Sequence, residues 1–577
     1  MDNWEVAAAL ERMAGLLALK GEKDFKVRAY SQAARQIIRS SEPIAEIAAA
    51  GRLRQLPGVG EALAAKINEL VSTGRSAFLT ALEAAVPPEL LALFSIPGVG
   101  FKTAAALVEE LKLNSMAQLA EAARAGQVRH LPGLGRNLEL SISRYFEEQR
   151  TGAALFHRGV AVPLAEHAIA FLRGLPAVRS VCAAGDFRRG TEQVAELPLL
   201  AVLKSGRSAT VLRDELRGLP GLTALVPTGE RLILENVTGL PLQLTLVDED
   251  ALVTTLVERT GSAGHWTTLV QIARQHGFSL GKTGLFRNGR PVKLEQEVDL
   301  YRALKLVFIP PELREGEDEF AAAAAGKLPR LIELNQLRGD LHLHTDWSDG
   351  TASIEAMAQK GAALGYEYIA VTDHSPSLKI AGGLSEEKLA EQIASIERFN
   401  STTPGCPVLA GAEVDIRPDG SLDLPDALLD RLDLVVASVH SSFRQTRDEM
   451  TGRICRAMEH PAVHLIGHPT GRLLGSRGGY DVDLEKLIHR AAHTGTIVEI
   501  NASPQRLDLA EAYLRRARAA GVRLAVNTDA HSTVTMEDMF YGVTAARRGW
   551  LEDGDVVNTL PLAALRRALR QKRRRKG

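Results

Sequence analysis

Seven short apolar runs in the C-terminal part of this chain each lead to a side chain that can bind a cation or steady one. The runs are GDLHLH, YIAVTDH, VLAGAEVDI, LVVASVHSSF, VHLIGHP, TIVEIN and RLAVNTDAH. In order they carry His342 and His344, Asp373 and His374, Glu413, His440, His468, Asn501, and Asp529 with His531. Asp349 sits in the turn WSDG after the first run. Alternation along a strand turns the imidazoles of His342 and His344 to the same side. A single histidine is most often a satisfied core or surface residue. Six of the chain's 15 histidines at the ends of β-type runs do not fit that explanation. A mixed set of imidazoles and carboxylates suits Zn²⁺, Mn²⁺ or Fe²⁺. The chemistry such a cluster supports is phosphoester hydrolysis, because a divalent cation lowers the pKa of water from near 16 to about 7 and holds phosphate oxygens.

These residues need a scaffold that brings separate strand ends together. Helical segments such as IEAMAQKGAALG, EEKLAEQIASIERF, DLEKLIHRAAHTG and AEAYLRRARAAG lie between the runs. Alternating strand and helix imply a parallel sheet, and seven such units imply a closed barrel with its chemistry at the C-terminal strand ends. This region is expected to run over 336–577.

The 577 residues leave room for about three or four domains. The apolar fraction of 45% and charged fraction of 24% are those of a soluble globular protein. No apolar stretch reaches the ~18 residues that span a bilayer, and MDNWEVAAALERM lacks the pattern of a signal peptide. Cys182, Cys406 and Cys455 are far apart, with no C-x-x-C. That fits a reducing cytoplasm and argues against a thiolate zinc site. A net charge of −1 says nothing about partners. The basic tail RRALRQKRRRKG reads equally as a solvated helix end or a phosphate-attracting arm.

The N-terminal region, 1–150, repeats one unit three times: QLPGVGEALAAKINEL, SIPGVGFKTAAALVEEL and HLPGLGRNLELSISRYF. Each predicts helix, tight turn, helix. The paired glycines, Gly58 and Gly60, Gly98 and Gly100, Gly133 and Gly135, leave backbone N–H groups bare at a helix start. Such a start binds a phosphate oxygen without reading a base. The copies resemble the helix-hairpin-helix motif, and three in tandem favour DNA binding. LKGEKDFKVRAYSQAARQI resembles the small N-terminal domain of family X DNA polymerases. There Lys66 falls at the place of a lysine that attacks abasic sugars as a Schiff-base nucleophile. Ala62 stands where the family has another lysine, and a surface helix lysine is the favoured reading of Lys66.

The middle region, 151–315, predicts a small α+β domain, followed by a connector, 316–335. AAGDFRRGTEQVAELPLLAV resembles the family X palm signature. Arg188, Arg189 and Thr191 match it, and Asp186 replaces the usual serine. The palm's paired metal-binding aspartates are replaced by Glu196 and Pro198, and the third by Thr245. Two-metal phosphoryl transfer needs bridging carboxylates, and proline supplies none. The expectation is therefore a palm-type fold without a working polymerase centre. TGSAGHWTTLVQIARQHGFSL and ALKLVFIPPELRE resemble the family's later segments.

From residue 336 the chain resembles the PHP (polymerase and histidinol phosphatase) domain, a distorted barrel of seven strand–helix units. By that resemblance the metal ligands are His342, His344, Asp349, His374, Glu413, His440, His468, Asp529 and His531. Nine ligands exceed one ion and fit two or three, with Glu413 able to bridge. Asp373 and Asn501 are expected to steady the ligands, and Arg444, in HSSFRQ, to meet a substrate phosphate. The expected architecture is multidomain: a helical helix-hairpin-helix region, an α+β palm-like nucleotidyltransferase middle and a C-terminal (β/α)7 barrel. The resemblance implies a metal-dependent DNA phosphoesterase (3′→5′ exonuclease, 3′-phosphatase or abasic-site nuclease) working in repair on gapped, nicked or abasic DNA. Competing readings are an active gap-filling polymerase with proofreading, a histidinol-phosphate-type phosphatase and a non-catalytic DNA-binding protein.

Overall fold

The computed structural model describes residues 3–39, 42–56, 58–96, 99–131, 134–151, 154–219, 221–228, 231–236, 238–403 and 405–574. The chain divides into two compact units. One holds residues 1–183, 194–249 and 475–477. The other holds 184–193, 250–474 and 478–577.

In the first unit the three sequence repeats build the same local structure. Short 3-10 turns at Leu53–Gln55, Pro88–Ser95 and Val128–His130 lead to helices Glu61–Thr73, Phe101–Leu111 and Arg136–Thr151. Each turn closes with an equivalent backbone bond: Val59 N–H to Leu56 (3.1 Å), Val99 to Ile96 (3.0 Å) and Leu134 to Leu131 (3.1 Å). Gly58 needs its missing side chain, at φ +78°. Pro57, Pro97, Gly98, Pro132 and Gly133 lie outside the described residues. The helices share one core that includes Leu10, Met13, Leu17, Ile37, Ile67 and Leu107.

The same unit contains a five-stranded sheet in the order Val178–Ala183, Leu197–Leu203, Leu242–Leu246, Arg231–Asn236, Leu222–Thr228. Only the Leu197–Leu203 and Leu242–Leu246 pair is parallel. Leu197 and Leu199 are buried on one face, and Pro198, Gln243 and Thr245 are half-buried on the other.

The second unit begins with helices Leu252–Thr260 and Ala263–Gln275 and a three-stranded antiparallel meander, Phe278–Gly281, Gly284–Arg287 and Arg290–Val292. Asn288 and Gly289, both at positive φ, turn its second hairpin. Beside it is a buried ion cluster. Arg188 grips Glu297 with two bonds (2.9 and 2.6 Å), and the fully buried Arg314 donates to the same carboxylate (2.6 Å). Burial alone would raise the Glu297 pKa, but the two guanidinium groups outweigh it and hold the carboxyl down at about 2. A carboxyl depressed on folding stabilises fully above its unfolded value, and this is lost as pH falls toward the folded one. From the ordinary carboxyl value of 4.5 to about 2, the change corresponds to about 3 kcal/mol. We therefore expect Glu297→Gln to lower the unfolding temperature at pH 7. The gap to the unchanged chain should narrow as pH drops below about 4.5. A gap that stays constant down to pH 2.5 would remove the ion cluster as its cause.

The rest of this unit is a nearly closed barrel of seven parallel strands. They are Gly339–Leu343, Tyr368–Val371, Val408–Asp415, Leu434–Ser438, Leu465–Ile466, Ile497–Asn501 and Leu524–Asn527, in sheet order. The end of the first strand meets the end of the last, where His344 N–H donates to the Ala530 carbonyl (2.9 Å). Every strand residue is buried, which is why the runs read as nearly continuous apolar sequence and not as alternation. Helix Leu562–Arg574 packs Leu565 and Leu569 against Leu341, Leu409 and Leu465. The basic tail is thus partly structural: Lys572 is buried and donates to the Met458 carbonyl (2.8 Å), while Arg567 and Arg570 are exposed.

Candidate metal centre

The barrel topology ends each strand near its neighbour's end, and the expected ligands converge there. Three groups of ligand atoms each lie within 4.8 Å of one another: His344, Asp349, His374 and His531; His342, His344 and Asp529; and His374, Glu413 and His440. His344 and His374 belong to two groups each, so the three are contiguous. His468 joins through Glu413, with its Nε2 2.9 Å from Oε1. Glu413 stands at the middle. His374 lies 2.8 Å from its carboxylate, His440 3.3 Å, His342 3.5 Å and His344 3.6 Å. Asp349 faces His531 (3.3 Å) and His374 (3.5 Å), and Asp529 faces His344 (3.2 Å).

The cluster is dry. His342 and His344 are wholly buried and Glu413 is 1% exposed. His342 Nε2, both ring nitrogens of His344, and His468 Nδ1 are buried without a hydrogen-bond partner. Buried polar atoms without partners cost free energy. Lone pairs of several imidazoles and carboxylates aimed at shared points are what divalent cations would satisfy, so the donor set fits them. The groups are strongly coupled electrostatically. Burial, with His531 and His374 beside it, holds His344 down at about 3, the neutral form a ligand requires. His374 is held up at about 10 because Glu413 and Asp349 outweigh burial. His440 is held up at about 9, against burial, by Glu413 and Asp415. Glu413 and Asp529 lie well below the usual carboxylate range despite their burial, chiefly through the imidazoles around them.

A layer behind the cluster fixes its orientation, and sequence reasoning found only part of it. Glu499 accepts from His342 Nδ1 (2.8 Å), from the His468 N–H (2.7 Å) and from Asn527 (2.8 Å). Asp415 accepts from His440 Nδ1 (2.8 Å). Asp340, which burial pushes up to about 7, takes the His342 N–H (3.2 Å) and the Thr528 hydroxyl. Each of these three acids stands two residues from an expected site residue: Asp340 from His342, Asp415 from Glu413, Glu499 from Asn501. The period-two alternation that paired His342 with His344 was the signal that could have found them. Asn501 donates to Asp529 (3.1 Å) and Glu499 (3.1 Å). Asp373 works at one remove. Its carboxylate gathers the Thr345 N–H (2.8 Å), the Ser348 hydroxyl and Gln392 (2.6 Å), and so shapes the loop that carries Asp349. Arg444 is exposed on the loop after His440. The arginine beside the cluster is Arg506, 3.3 Å from Asp529. Nothing in the sequence singled it out, because its loop is positioned by Arg472, which donates to the Arg506 carbonyl (3.0 Å) and to Glu192 (2.8 Å).

In the first unit, the palm-type positions converge on a different outcome. Pro198 is paired with Gln243, and Thr245 with Leu200 and Arg231, across three adjacent strands. Glu196, the one acid there, accepts from the Gln243 amide, whose oxygen in turn receives Arg231 (3.1 Å). A guanidinium therefore lies within two bonds of the remaining carboxylate. The signature arginines, in the second unit, are engaged internally. Arg188 holds Glu297 and the Thr260 hydroxyl (3.1 Å). Arg189 holds Glu315 (3.1 Å), the Thr260 carbonyl (2.8 Å) and Asp186. Thr191 donates to the Gln193 carbonyl (2.8 Å).

At the repeats, Gly60, Gly100 and Gly135 are exposed, and a Cβ built on any of them would meet nothing within 4 Å. At the first two, the glycine N-cap offers no side chain to the first-turn N–H groups. Lys66 lies over the Phe78 ring (4.7 Å), with its ammonium on the Ala62 carbonyl (3.2 Å).

Comparison with known proteins places these features in order along the chain. The helix-hairpin-helix domain matches residues 1–76, and the SAM-like helix-hairpin-helix tandem matches 89–143. The DNA polymerase beta thumb matches 255–315 and the PHP domain 340–529. The DNA polymerase/3'-5' exonuclease PolX of Bacillus subtilis is 35% identical over 97% of this chain and 98% of its own length. A probable phosphatase of Thermoanaerobacter sp. is 29% identical over 41% of this chain and 96% of its own length. One from Acetivibrio thermocellus is 28% identical over 33% of this chain and 78% of its own.

Proposed function

Because the chain belongs to the family X DNA polymerases that carry a C-terminal PHP domain, we propose that it is a metal-dependent phosphoesterase. In this reading it acts on DNA at 3′ ends or abasic sites during repair. Residues 336–577 cut, 1–150 and 151–315 hold the DNA, and 316–335 connect them. The observation that carries the reading is the convergence of nine imidazoles and carboxylates on one cluster whose buried inner members have unpartnered lone pairs. Its donors suit two or three ions of the Mn²⁺, Zn²⁺ or Fe²⁺ type. Bound there, such ions supply an activated water and neutralise phosphate charge.

The chain's own residues do the rest. Glu499 and Asp415 fix the tautomers of His342 and His440, so that each presents its Nε2 inward. Asn501 and Arg506 hold one oxygen of Asp529 and leave the other to face His344. The exposed glycine turns at Gly60, Gly100 and Gly135, with Gly58, Gly98 and Gly133 of the same motif, give sequence-independent holds on a DNA backbone. Lys66 contributes no lyase chemistry in this reading.

The polymerase half serves as a scaffold. Pro198 and Thr245 cannot hold Mg²⁺, and Glu196 is already engaged by Gln243. A small-molecule phosphatase is favoured only by the probable phosphatases that match the barrel region, and it has no use for three helix-hairpin-helix turns. One incubation separates the readings. A 3′-labelled gapped duplex with Mn²⁺, with and without dNTPs, should be shortened or 3′-dephosphorylated. Lengthening supports a polymerase, and neither change supports a phosphatase or a simple binder.

The layer behind the cluster gives a further expected outcome. Glu499→Gln should weaken Mn²⁺ binding by about 10–100-fold, the usual effect of losing a partner that orients a ligand. Titration of the metal-stripped protein reads this directly. A binding curve that matches the unchanged chain would take Glu499 out of this role.

A further inference from the structure

The loop after His374 carries a feature that the cluster itself does not use. Ile380 is the most exposed large apolar side chain among the described residues, at 96%. Its neighbour Lys379 is also exposed, whereas Ala381 and Leu384 on the same loop are buried. An isoleucine held in water is unfavourable, and a loose loop could fold it away. This loop is pinned. Its ends meet at the cluster, where the Leu384 N–H donates to the His374 carbonyl (2.8 Å). Ser377 donates its N–H to Asp423 (2.6 Å) and its hydroxyl to Asp415 (3.2 Å), the acid that holds His440. Gly383 lies so close to the Ser375 carbonyl that a Cβ would stand 2.0 Å from it. Gly382, at φ +69°, rests beside the Ser348 carbonyl, next in sequence to Asp349. The turn Lys379–Ala381 therefore presents a cation and a bare apolar side chain at a fixed place on the rim of the cluster.

The burial of the cluster creates a need that this turn can meet. His344 and Glu413 are essentially inaccessible. A phosphodiester at the end of a stacked, paired duplex cannot reach them unless its nucleotide leaves the stack. Apolar side chains inserted at a base step are the usual means of unstacking DNA. We propose that Ile380 is the strand-separating edge of this site: it packs against the last base pair of a duplex 3′ end and lets the terminal nucleotide enter, while Lys379 takes a flanking phosphate. The proposal rests on the DNA phosphoesterase reading and deepens it, naming a paired 3′ end as the substrate for which the rim is built.

The test uses the full chain with Mn²⁺ and three substrates: a blunt duplex 3′ end, the same strand alone, and the duplex with its last three pairs mismatched. Bis(4-nitrophenyl) phosphate serves as a substrate with no base to unstack. Ile380→Ser should slow digestion of the paired end by about tenfold and leave the single strand, the mismatched end and the small diester unchanged. Ile380→Leu should keep the unchanged chain's ratio of paired to single-strand rates. Equal slowing of all substrates, or no slowing of the paired end, overturns the proposal. If the unchanged chain cleaves the small diester but no DNA, the DNA reading itself fails and Ile380 has no such role. Because Ile380 is on the surface, both variants should fold. Unfolding temperatures equal to that of the unchanged chain check this.

Discussion

Glu413→Gln should abolish Mn²⁺-dependent hydrolysis of a DNA 3′ end, with a loss on the order of a thousandfold or more. The size follows from the geometry. The Glu413 carboxylate lies within 3.6 Å of five imidazoles, those of His342, His344, His374, His440 and His468. No other acid of the cluster touches so many. Glutamine keeps the shape but removes the negative charge that would hold two cations close together, and repulsion between those cations then goes unopposed. An amide is also a poor bridging ligand beside a carboxylate. The expected signature is two-fold: the rate falls, and metal titration of the stripped protein shows at least one ion fewer. Asp349→Asn is expected to do less, because that side chain is about one-third exposed and stands at the edge of the cluster. The variant must be compared at equal folded fraction, since neutralising a buried acid among imidazoles also alters stability. If Glu413→Gln digests DNA as fast as the unchanged chain, the cluster is not where the chemistry occurs.

The second large effect is an absence: the chain should add no nucleotide to a primed gap with either Mg²⁺ or Mn²⁺. Two-metal nucleotidyl transfer needs carboxylates that bridge cations roughly 3.5–4 Å apart. On this sheet the paired positions are Pro198 beside Gln243, and Thr245 beside Arg231. The one acid, Glu196, is satisfied by Gln243, and Arg231 stands behind that amide. A fixed guanidinium there opposes any incoming cation. The arginines of the signature are also committed, Arg188 to Glu297 and Arg189 to Glu315. Freeing Arg188 would strip the buried Glu297 carboxylate of two of its three guanidinium bonds. For that reason Pro198→Asp together with Thr245→Asp should still give no extension. Template-directed extension by the unchanged chain that survives Glu196→Ala would overturn this view of the palm.

How much was legible beforehand depended on whether a residue's role is local or assembled. The helix-hairpin-helix repeats were legible because each is written within one short segment of sequence, as a proline followed by paired glycines. The structure repeats the same closing bond three times. The barrel was legible because strands covered on both faces must be apolar throughout, and helices between them must return the chain to the same side. The residues expected as ligands stood out for the same reason, since each lies on such a strand or in the loop that follows it. The limits were equally physical. Asp340, Asp415 and Glu499 lie on the strands themselves, where a buried acid looks like noise in an apolar run until its partner histidine is known. Arg506 stands beside Asp529 because a loop 34 residues away in sequence, through Arg472, holds it there, and no local pattern marks it.

Composition and order alone thus determined which residue types stand where: imidazoles or acids at six strand ends with an amide at the seventh, and no acid at Pro198 or Thr245. Only the folded barrel decided which of those groups meet, that all five inner imidazoles share one carboxylate, and that an isoleucine is pinned bare at their rim. The reason is distance. Residue type and local periodicity are written in neighbouring letters, whereas a cation site is an agreement among side chains up to 189 positions apart, from His342 to His531, which closure of the sheet alone enforces.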